Sequence, residues 1–186
     1  MARAIQMTQT GGPEVLTLTD VEVPEPAANE VLVKVAAAGV NFIETYQRSG
    51  VYRVDLPFTP GGEGAGTVTA VGSEVTNFSV GDLVATAGGR GSYSEYMLVE
   101  ESKLARIPDG IDLTTAAALP LQGFTSHYLI NSTYNVQPGD VVLTTAGAGG
   151  VGGLMTQMLK AKGATVITTT SSEEKAAIAT VSYTHL

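Results

Sequence analysis

The chain has 186 residues, of which 44% are hydrophobic and 15% charged, and its formal net charge is −8. This composition predicts a globular protein, and an acidic balance without a cluster of lysine or arginine disfavours nucleic acids and anionic membranes as partners. Because cysteine is absent, disulfides, a thiol nucleophile and cysteine-ligated zinc are excluded.

The first hundred residues predict short strands separated by turns. The N-terminal MARAIQMTQTGGPE lacks the apolar segment of a secretory signal, and no run of 18 apolar residues follows, so we expect a cytoplasmic protein. Strands are predicted in EVLTLTDVEVPEP, NEVLVKVAAAGV, GAGTVTAVG, GDLVATA and GSYSEYMLVE. The closely spaced glycines and prolines between them favour a small β-barrel or sandwich. The segment NFIETYQRSGVY predicts a short helix followed by a loop.

The pattern changes near residue 120, which divides the chain into domains 1–120 and 121–186. DLTTAAALPLQGFTSHYLI predicts two helical pieces, with Asp112 as N-cap and a break at Pro120. The apolar run DVVLTT predicts a strand that is buried on both faces. A helix in VGGLMTQMLKAKG and a strand in ATVITTTSS then complete a βαβ unit, and a helix capped by Ser172 follows it.

Five glycines lie from Gly147 to Gly153, at the junction of the predicted strand DVVLTT and the next helix, and three of them form the pattern Gly147-x-Gly149-x-x-Gly152. Between a strand and a helix, this pattern indicates dinucleotide binding. The first glycine allows the tight turn, the second lets the backbone approach a pyrophosphate, and the third lets the helix pack on the strand. The N–H groups around Gly150 and Val151 and the helix dipole would hold the anion. A glycine-rich turn without a ligand is the alternative.

The end of the second strand favours NADPH over NADH. A ribose 2′-hydroxyl is usually held by Asp or Glu about 20 residues after the glycines. That region reads TTTSS, and the first carboxylates, Glu173 and Glu174, fall in the next helix. Ser171, Ser172 and Lys175 instead offer donors to a 2′-phosphate. The alternative for Lys175 is a solvated helix residue that pairs with Glu173 or Glu174.

Three segments resemble the quinone oxidoreductase/ζ-crystallin branch of the medium-chain dehydrogenases/reductases: GDVVLTTAGAGGVGGLMTQMLK, AGVNFIETYQRSGVY and GGPEVL. The resemblance runs to about Ala179. It implies an α/β chain with a β-rich part, in which a GroES-like β-barrel catalytic domain is followed by the first half of a Rossmann nucleotide-binding domain. It further implies NADPH-dependent quinone reduction by a homodimeric full-length enzyme that acts on a small-molecule quinone or enone.

By this resemblance Asn41, Tyr46 and Tyr52 line the substrate cleft and hydrogen-bond the quinone carbonyl as negative charge develops on it. Thr125 matches the position that approaches the nicotinamide, and Tyr128 flanks it. The alternatives are that Tyr46 is an ordinary core residue and that Asn41 is a turn residue.

Other polar residues of these segments have structural interpretations. Glu44 and Glu63 are interpreted as structural hydrogen-bonding groups, and His127 as a packed histidine. Zinc-dependent relatives carry Cys-His and Gly-His-Glu where this chain has Asn41-Phe42 and Gly62-Glu63. Asparagine, phenylalanine and glycine cannot supply a catalytic zinc site, so we expect no metal.

A Rossmann domain has about six strands, whereas the sequence predicts two. We therefore expect an N-terminal fragment that exposes apolar strand faces and has no appreciable NADPH oxidation by itself. The terminal TVSYTHL departs from the family pattern after KAAIA, so residues 180–186 are suspected to be foreign sequence, with a natural truncation as the alternative.

Two further functions remain open. An enone or enoyl-thioester reductase on the same scaffold would use NADPH and differ only in its acceptor. A crystallin-like or RNA-binding relative would not be an enzyme, and the acidic charge argues against RNA.

Overall fold

The computed structural model describes residues 1–181, which form one unit from Met1 to Pro120 and a second from Leu121 onward. The first unit contains β1 (Ala2–Gln6), β2 (Thr17–Val21), β3 (Glu30–Ala38), α1 (Phe42–Ser49), β4 (Gly64–Val71), β5 (Leu83–Thr86), β6 (Tyr96–Glu100), β7 (Ala105–Arg106) and α2 (Leu113–Ala118). The second contains α3 (Pro120–Tyr128, which starts at the boundary), β8 (Val141–Thr144), α4 (Gly150–Ala161), β9 (Thr165–Thr168) and α5 (Glu173–Val181).

The first unit is built on a five-stranded antiparallel sheet with the order β6-β3-β4-β5-β7. The antiparallel pair β1-β2 lies beside it and is bridged to it through Ala4 and Ser94. Strands β2 to β6 fall in the five segments that the sequence predicted. Neither β1 nor the two-residue β7 was predicted.

Alternating valines on β3 place one side of this sheet in the core. Val31 and Val33 are fully buried and pack with residues from the neighbouring strands, because alternate side chains of a strand point to the same face. The other members of this cluster are Val68, Val84, Met97 and Val99. Short alanines of α2 cover a second cluster formed by Ala65 and Ala85.

Helix boundaries follow the predicted capping residues. The Asp112 carboxylate accepts the Thr115 N–H at 2.9 Å, which confirms Asp112 as the N-cap of α2. Pro120 begins α3, where its missing N–H costs nothing. Gly163 follows α4 with a φ of 81°, the left-handed geometry that ends helices.

The second unit is the predicted βαβ unit. Strands β8 and β9 pair in parallel from Val141–Thr165 to Thr144–Thr168, with α4 between them in the chain. Leu159 of α4 is fully buried against Ile130, Val136 and Ala164.

Burial of β8 on both faces, predicted from the run DVVLTT, is wrong for the described residues. Val141 and Leu143 are 67% and 69% exposed. Within residues 1–181 only β9 pairs with β8, and the core cluster around Leu159 covers only one face of the two strands. The exposed face of β8 agrees with the expectation that this fragment exposes apolar strand faces.

Over residues 1–181, no helix combines the length and apolar character that crossing a membrane requires. The suspected foreign segment 180–186 lies outside the described residues except for its first two positions.

Close packing at the start of α4 depends on Gly152. A Cβ at this residue would lie 2.2 Å from the Ala146 carbonyl oxygen, a backbone atom that cannot move away alone. Gly123 in α3 is the matched opposite, because a Cβ there meets nothing within 4 Å.

We expect Gly152→Ala to lower the free energy of unfolding of the second unit by about 1–3 kcal/mol through overpacking. Gly123→Ala should be neutral or raise it by about 0.5–1 kcal/mol, because alanine loses less backbone entropy in a helix. Urea unfolding followed by circular dichroism measures both. Equal stability of the two variants would contradict the packing role of Gly152.

Candidate functional site

The turn between β8 and α4 is held against the end of β9. The Gly147 N–H donates to the Thr169 carbonyl at 3.1 Å, and the Thr144 and Thr168 hydroxyls are 2.9 Å apart. A Cβ at Gly147 would lie 2.3 Å from the Thr168 hydroxyl oxygen. The first glycine therefore makes room for Thr168.

The tight turn itself falls on a residue that the sequence did not indicate. Ala146 has a φ of 54°, in the left-handed region that few non-glycine residues occupy. Its carbonyl accepts the Gly149 N–H at 2.8 Å. The turn function assigned to Gly147 is thus carried out at Ala146, one residue earlier.

Gly149 is the N-cap of α4, and Gly150 and Val151 are its first two residues. The first N–H groups of a helix have no acceptor within the helix and carry the positive end of its dipole. In the second unit α3 packs against this end, where the Ser126 hydroxyl donates to the Val151 carbonyl at 3.2 Å. The arrangement presents backbone donors suited to an anion.

A pocket of about 350 Å³ opens beside this helix end. Its lining combines the glycine turn with the segment after β9: Ala146, Ala148, Gly149, Thr169, Thr170, Ser171 and Lys175. The Lys175 ammonium donates to the Ser171 hydroxyl at 3.0 Å rather than pairing with Glu173 or Glu174. None of the lining residues is acidic, so the donor set fits a phosphate ester better than a ribose hydroxyl.

The structure brings together three of the predicted cofactor residues, Gly149, Ser171 and Lys175, in this pocket. Gly147, Gly150, Val151 and Gly152 shape the turn and the helix start beside it. Ser172 caps α5 by accepting the Lys175 N–H at 3.3 Å. Thr125 and Tyr128 lie on α3 and are not among the lining residues. Ala146 and Ala148 are lining residues that sequence reasoning missed, although their place between the glycines was a signal.

In the first unit Asn41 stands at the N-cap of α1. Its backbone N–H donates to Glu44 Oε2 at 2.6 Å, and its Nδ2 donates to Glu63 Oε2 at 2.8 Å. Asn41 is therefore a capping residue whose amide is also held by a second element. The interpretation of both glutamates as structural hydrogen-bonding groups agrees with these contacts. Within residues 1–181, no group of three or more His, Asp or Glu could hold a metal ion.

Tyr46 and Tyr52 form a T-shaped pair, with ring centroids 5.5 Å apart and ring planes at 68°. The Tyr52 N–H donates to the Tyr46 carbonyl at 3.1 Å, which ties the loop after α1 to the helix. Both rings are about half exposed and Phe42 is 80% exposed, so the alternative of Tyr46 as a core residue is wrong here. His127 is also exposed, which corrects its interpretation as a packed histidine.

Burial raises the pKa of Glu44, and the negative charge of nearby Glu63 adds a smaller contribution in the same direction. Hydrogen bonds from the backbone near Asn41 oppose this shift and are outweighed. Burial likewise raises the pKa of the Tyr93 phenol, with help from the charge of Glu44. A negative charge on either side chain, Glu44 or Tyr93, is therefore unfavourable in this buried region near Asn41.

A family model described as the alcohol dehydrogenase GroES-like domain matches residues 27–109. The quinone oxidoreductase of Pseudomonas aeruginosa is 49% identical over 100% of this chain and 60% of its own length. The solved structure of Escherichia coli quinone oxidoreductase complexed with NADPH superposes with a TM-score of 0.92 at 40% identity, over 97% of this chain and 56% of the other.

The chain belongs to the zinc-free quinone oxidoreductase branch of the medium-chain dehydrogenases/reductases. The expected fold, a GroES-like domain followed by the start of a nucleotide-binding domain, is confirmed. A 2-haloacrylate reductase from Burkholderia sp is 39% identical over 95% of this chain and 55% of its own length. The chain thus spans between 55% and 60% of the length of these members of the family.

The raised pKa of Glu44 predicts a pH-dependent contribution to stability. The folded protein holds the Glu44 proton more tightly than the unfolded chain does. Protonation of Glu44 therefore stabilises the fold at pH values below the ordinary pKa of 4.5. That contribution is lost as the pH rises through the folded pKa. Glutamine keeps an acceptor for the Asn41 N–H but does not titrate.

We therefore expect the stability of Glu44→Gln relative to the unsubstituted protein to increase as the pH rises from about 4 to about 7. Urea unfolding at several pH values measures this difference, and the other carboxylates cancel because they are present in both proteins. Glu63 and Tyr93 face Glu44 and are unchanged in the variant. A difference that decreases with pH would show that the hydrogen bonds outweigh burial.

Proposed function

We propose that this chain binds NADPH at the glycine turn and takes part in the reduction of quinones. The observation that carries the proposal is the pocket between the turn and the end of β9, which offers Lys175 and three hydroxyls and no carboxylate. On a protein with a net charge of −8, this local lysine and the positive helix end give an anion a place to bind.

Two parts of the cofactor, the pyrophosphate and the 2′-phosphate, each have a counterpart in the second unit. The pyrophosphate would lie at the N–H groups of Gly150 and Val151, beside the bare backbone of Gly149, whose own N–H donates to the Ala146 carbonyl. The 2′-phosphate would accept hydrogen bonds from Ser171 and Lys175. The NADPH complex of the E. coli relative supports this choice of cofactor. When bound, NADPH supplies the hydride chemistry, and the protein supplies orientation and electrostatics.

The first unit would hold the acceptor. The exposed T-shaped pair of Tyr46 and Tyr52 offers two phenol hydroxyls and an aromatic surface, and Asn41 lies at the start of the same helix. These groups would donate hydrogen bonds to a quinone carbonyl oxygen and stabilise the negative charge that develops on it. Thr125 and Tyr128 as nicotinamide contacts, and a homodimeric full-length protein, stay predictions.

The similarity to 2-haloacrylate reductase favours a second candidate, the reduction of a carbon–carbon double bond conjugated to a carbonyl or carboxylate group. Both reactions deliver a hydride to an acceptor that is made electron-poor by a carbonyl group. The same cofactor pocket would serve either, and the residues that contact the acceptor would discriminate between them.

We expect Lys175→Ala to weaken NADPH binding about tenfold or more and to leave NADH binding nearly unchanged, because a charge-assisted hydrogen bond to the 2′-phosphate is lost. Isothermal titration calorimetry measures both cofactors. Lys34→Ala removes the same charge from an exposed site on β3 and serves as the control. Equal loss of NADPH and NADH affinity would contradict recognition of the 2′-phosphate by Lys175.

The acceptor is tested without turnover by titrating a ¹⁵N-labelled chain, saturated with NADP⁺, with a methyl-substituted 1,4-benzoquinone and with an α,β-unsaturated acid. The quinone proposal expects the quinone to shift the resonances of Asn41, Tyr46 and Tyr52 at lower concentration than the acid. A preference for the acid would favour the double-bond reductase. No shift in this region with either compound would contradict an acceptor site there.

A further inference from the structure

Asn41 is held at two points by two buried glutamates from different parts of the first unit. Glu44 belongs to α1 and binds the Asn41 backbone N–H at 2.6 Å, whereas Glu63 directly precedes β4 and binds the Asn41 side chain at 2.8 Å. Glu63 is only 3% exposed. Burying a carboxylate at this position destabilises the fold unless hydrogen bonds compensate for it. The hydrogen bond from Asn41 is one such contact.

The amide of asparagine has two ends of nearly equal shape and opposite hydrogen-bonding character. A rotation of 180° exchanges the donor Nδ2 for the acceptor Oδ1, and without a strong neighbour both orientations are accessible. An ionised carboxylate accepts hydrogen bonds and does not donate them. With Glu63 beside it, the amide is held with Nδ2 toward Glu63, because the reverse orientation would place Oδ1 against the carboxylate.

A glycine makes this contact possible. A Cβ at Gly39 would lie 2.1 Å from Glu63 Oε2 and 2.6 Å from its carboxyl carbon. The Gly39 N–H donates to the Glu63 backbone carbonyl at 3.0 Å, which continues the pairing of β3 and β4 up to this point. Gly39 therefore leaves the space through which the Glu63 carboxylate reaches Asn41.

We propose that Glu63 is a positioning residue, which fixes the amide of Asn41 so that the second N–H of Nδ2 is available to the acceptor's carbonyl oxygen. This inference rests on the proposed function of Asn41 as a donor to the acceptor. A carbonyl oxygen is attracted by this N–H and repelled by the amide oxygen that the opposite orientation would present. Glu63 sets the sign of that interaction without touching the acceptor.

The side-chain ¹H–¹⁵N resonances of Asn41 test the orientation directly. In the unsubstituted chain the two Nδ2 protons should be well separated in chemical shift, because only one of them is hydrogen-bonded to Glu63. Glu63→Ala should bring the two proton shifts together. Glu63→Gln should restore part of the separation, because its amide oxygen can accept the same hydrogen bond.

The consequence for binding is measured with the same quinone titration. Glu63→Ala should weaken binding of the methyl-substituted benzoquinone about tenfold, the size expected for one misdirected hydrogen bond, and Glu63→Gln by less. NADPH binding should not change, because it belongs to the second unit. Gly39→Ala, which places a methyl group against the Glu63 carboxylate, should reproduce the effect and decides the matter if Glu63→Ala fails to fold.

Asn41 resonances that are the same in Glu63→Ala as in the unsubstituted chain would overturn the positioning role. Altered resonances with unchanged quinone affinity would also overturn it, because the orientation would then be irrelevant to the acceptor. If the unsubstituted chain binds no quinone, the proposed function fails, whereas the resonances of Asn41 still decide what Glu63 does to the amide.

Discussion

The second unit depends on the close approach of α4 to the turn after β8. This approach is possible because Gly152 has no side chain to meet the Ala146 carbonyl, which would lie 2.2 Å from a Cβ. The same carbonyl accepts the Gly149 N–H and fixes the backbone from which the helix starts. The direction of the first N–H groups of α4, and with it the place for a pyrophosphate, follows from this one contact.

The acidic character of the chain lies in the first unit, because the three lysines of the second unit balance its three carboxylates, Asp140, Glu173 and Glu174. The pocket of the second unit is lined by small residues, hydroxyls and Lys175, so that it favours an anion within a protein of net charge −8. In the first unit, buried carboxylates lie beneath Asn41 and burial raises the pKa of one of them. The carboxylate of Glu63 therefore orients a hydrogen-bond donor, the amide of Asn41. An uncharged acceptor such as a quinone is compatible with that arrangement.

Much of the fold could be predicted from local patterns in the sequence. The strands β2 to β6, the cap at Asp112 and the βαβ unit each have a signal within a few residues, namely alternation, a capping side chain, or glycines between a strand and a helix. β7 was missed because it has only two residues, and β1 because Ile5 is the only β-branched or aromatic residue among its five. The burial of β8 was wrong because an apolar run does not tell how many neighbours the strand has.

Some residues of the candidate site could likewise be predicted from the sequence, and others could not. Gly149, Ser171 and Lys175 could be found because their spacing from the strands places them at one edge of the sheet. The left-handed turn at Ala146 could not be found, because alanine gives no signal for positive φ. The contact between Asn41 and Glu63 joins residues that are 22 positions apart, so only the pairing of β3 with β4 reveals it.

The central claim is that the pocket beside the glycine turn binds the adenosine 2′-phosphate and pyrophosphate of NADPH. A crystal structure of the chain with bound NADPH tests it most directly. The account predicts the pyrophosphate within hydrogen-bond distance of the N–H groups of Gly150 and Val151, and the 2′-phosphate within hydrogen-bond distance of the Lys175 ammonium. Cofactor bound elsewhere, or with its 2′-phosphate in solvent away from Lys175, would contradict it.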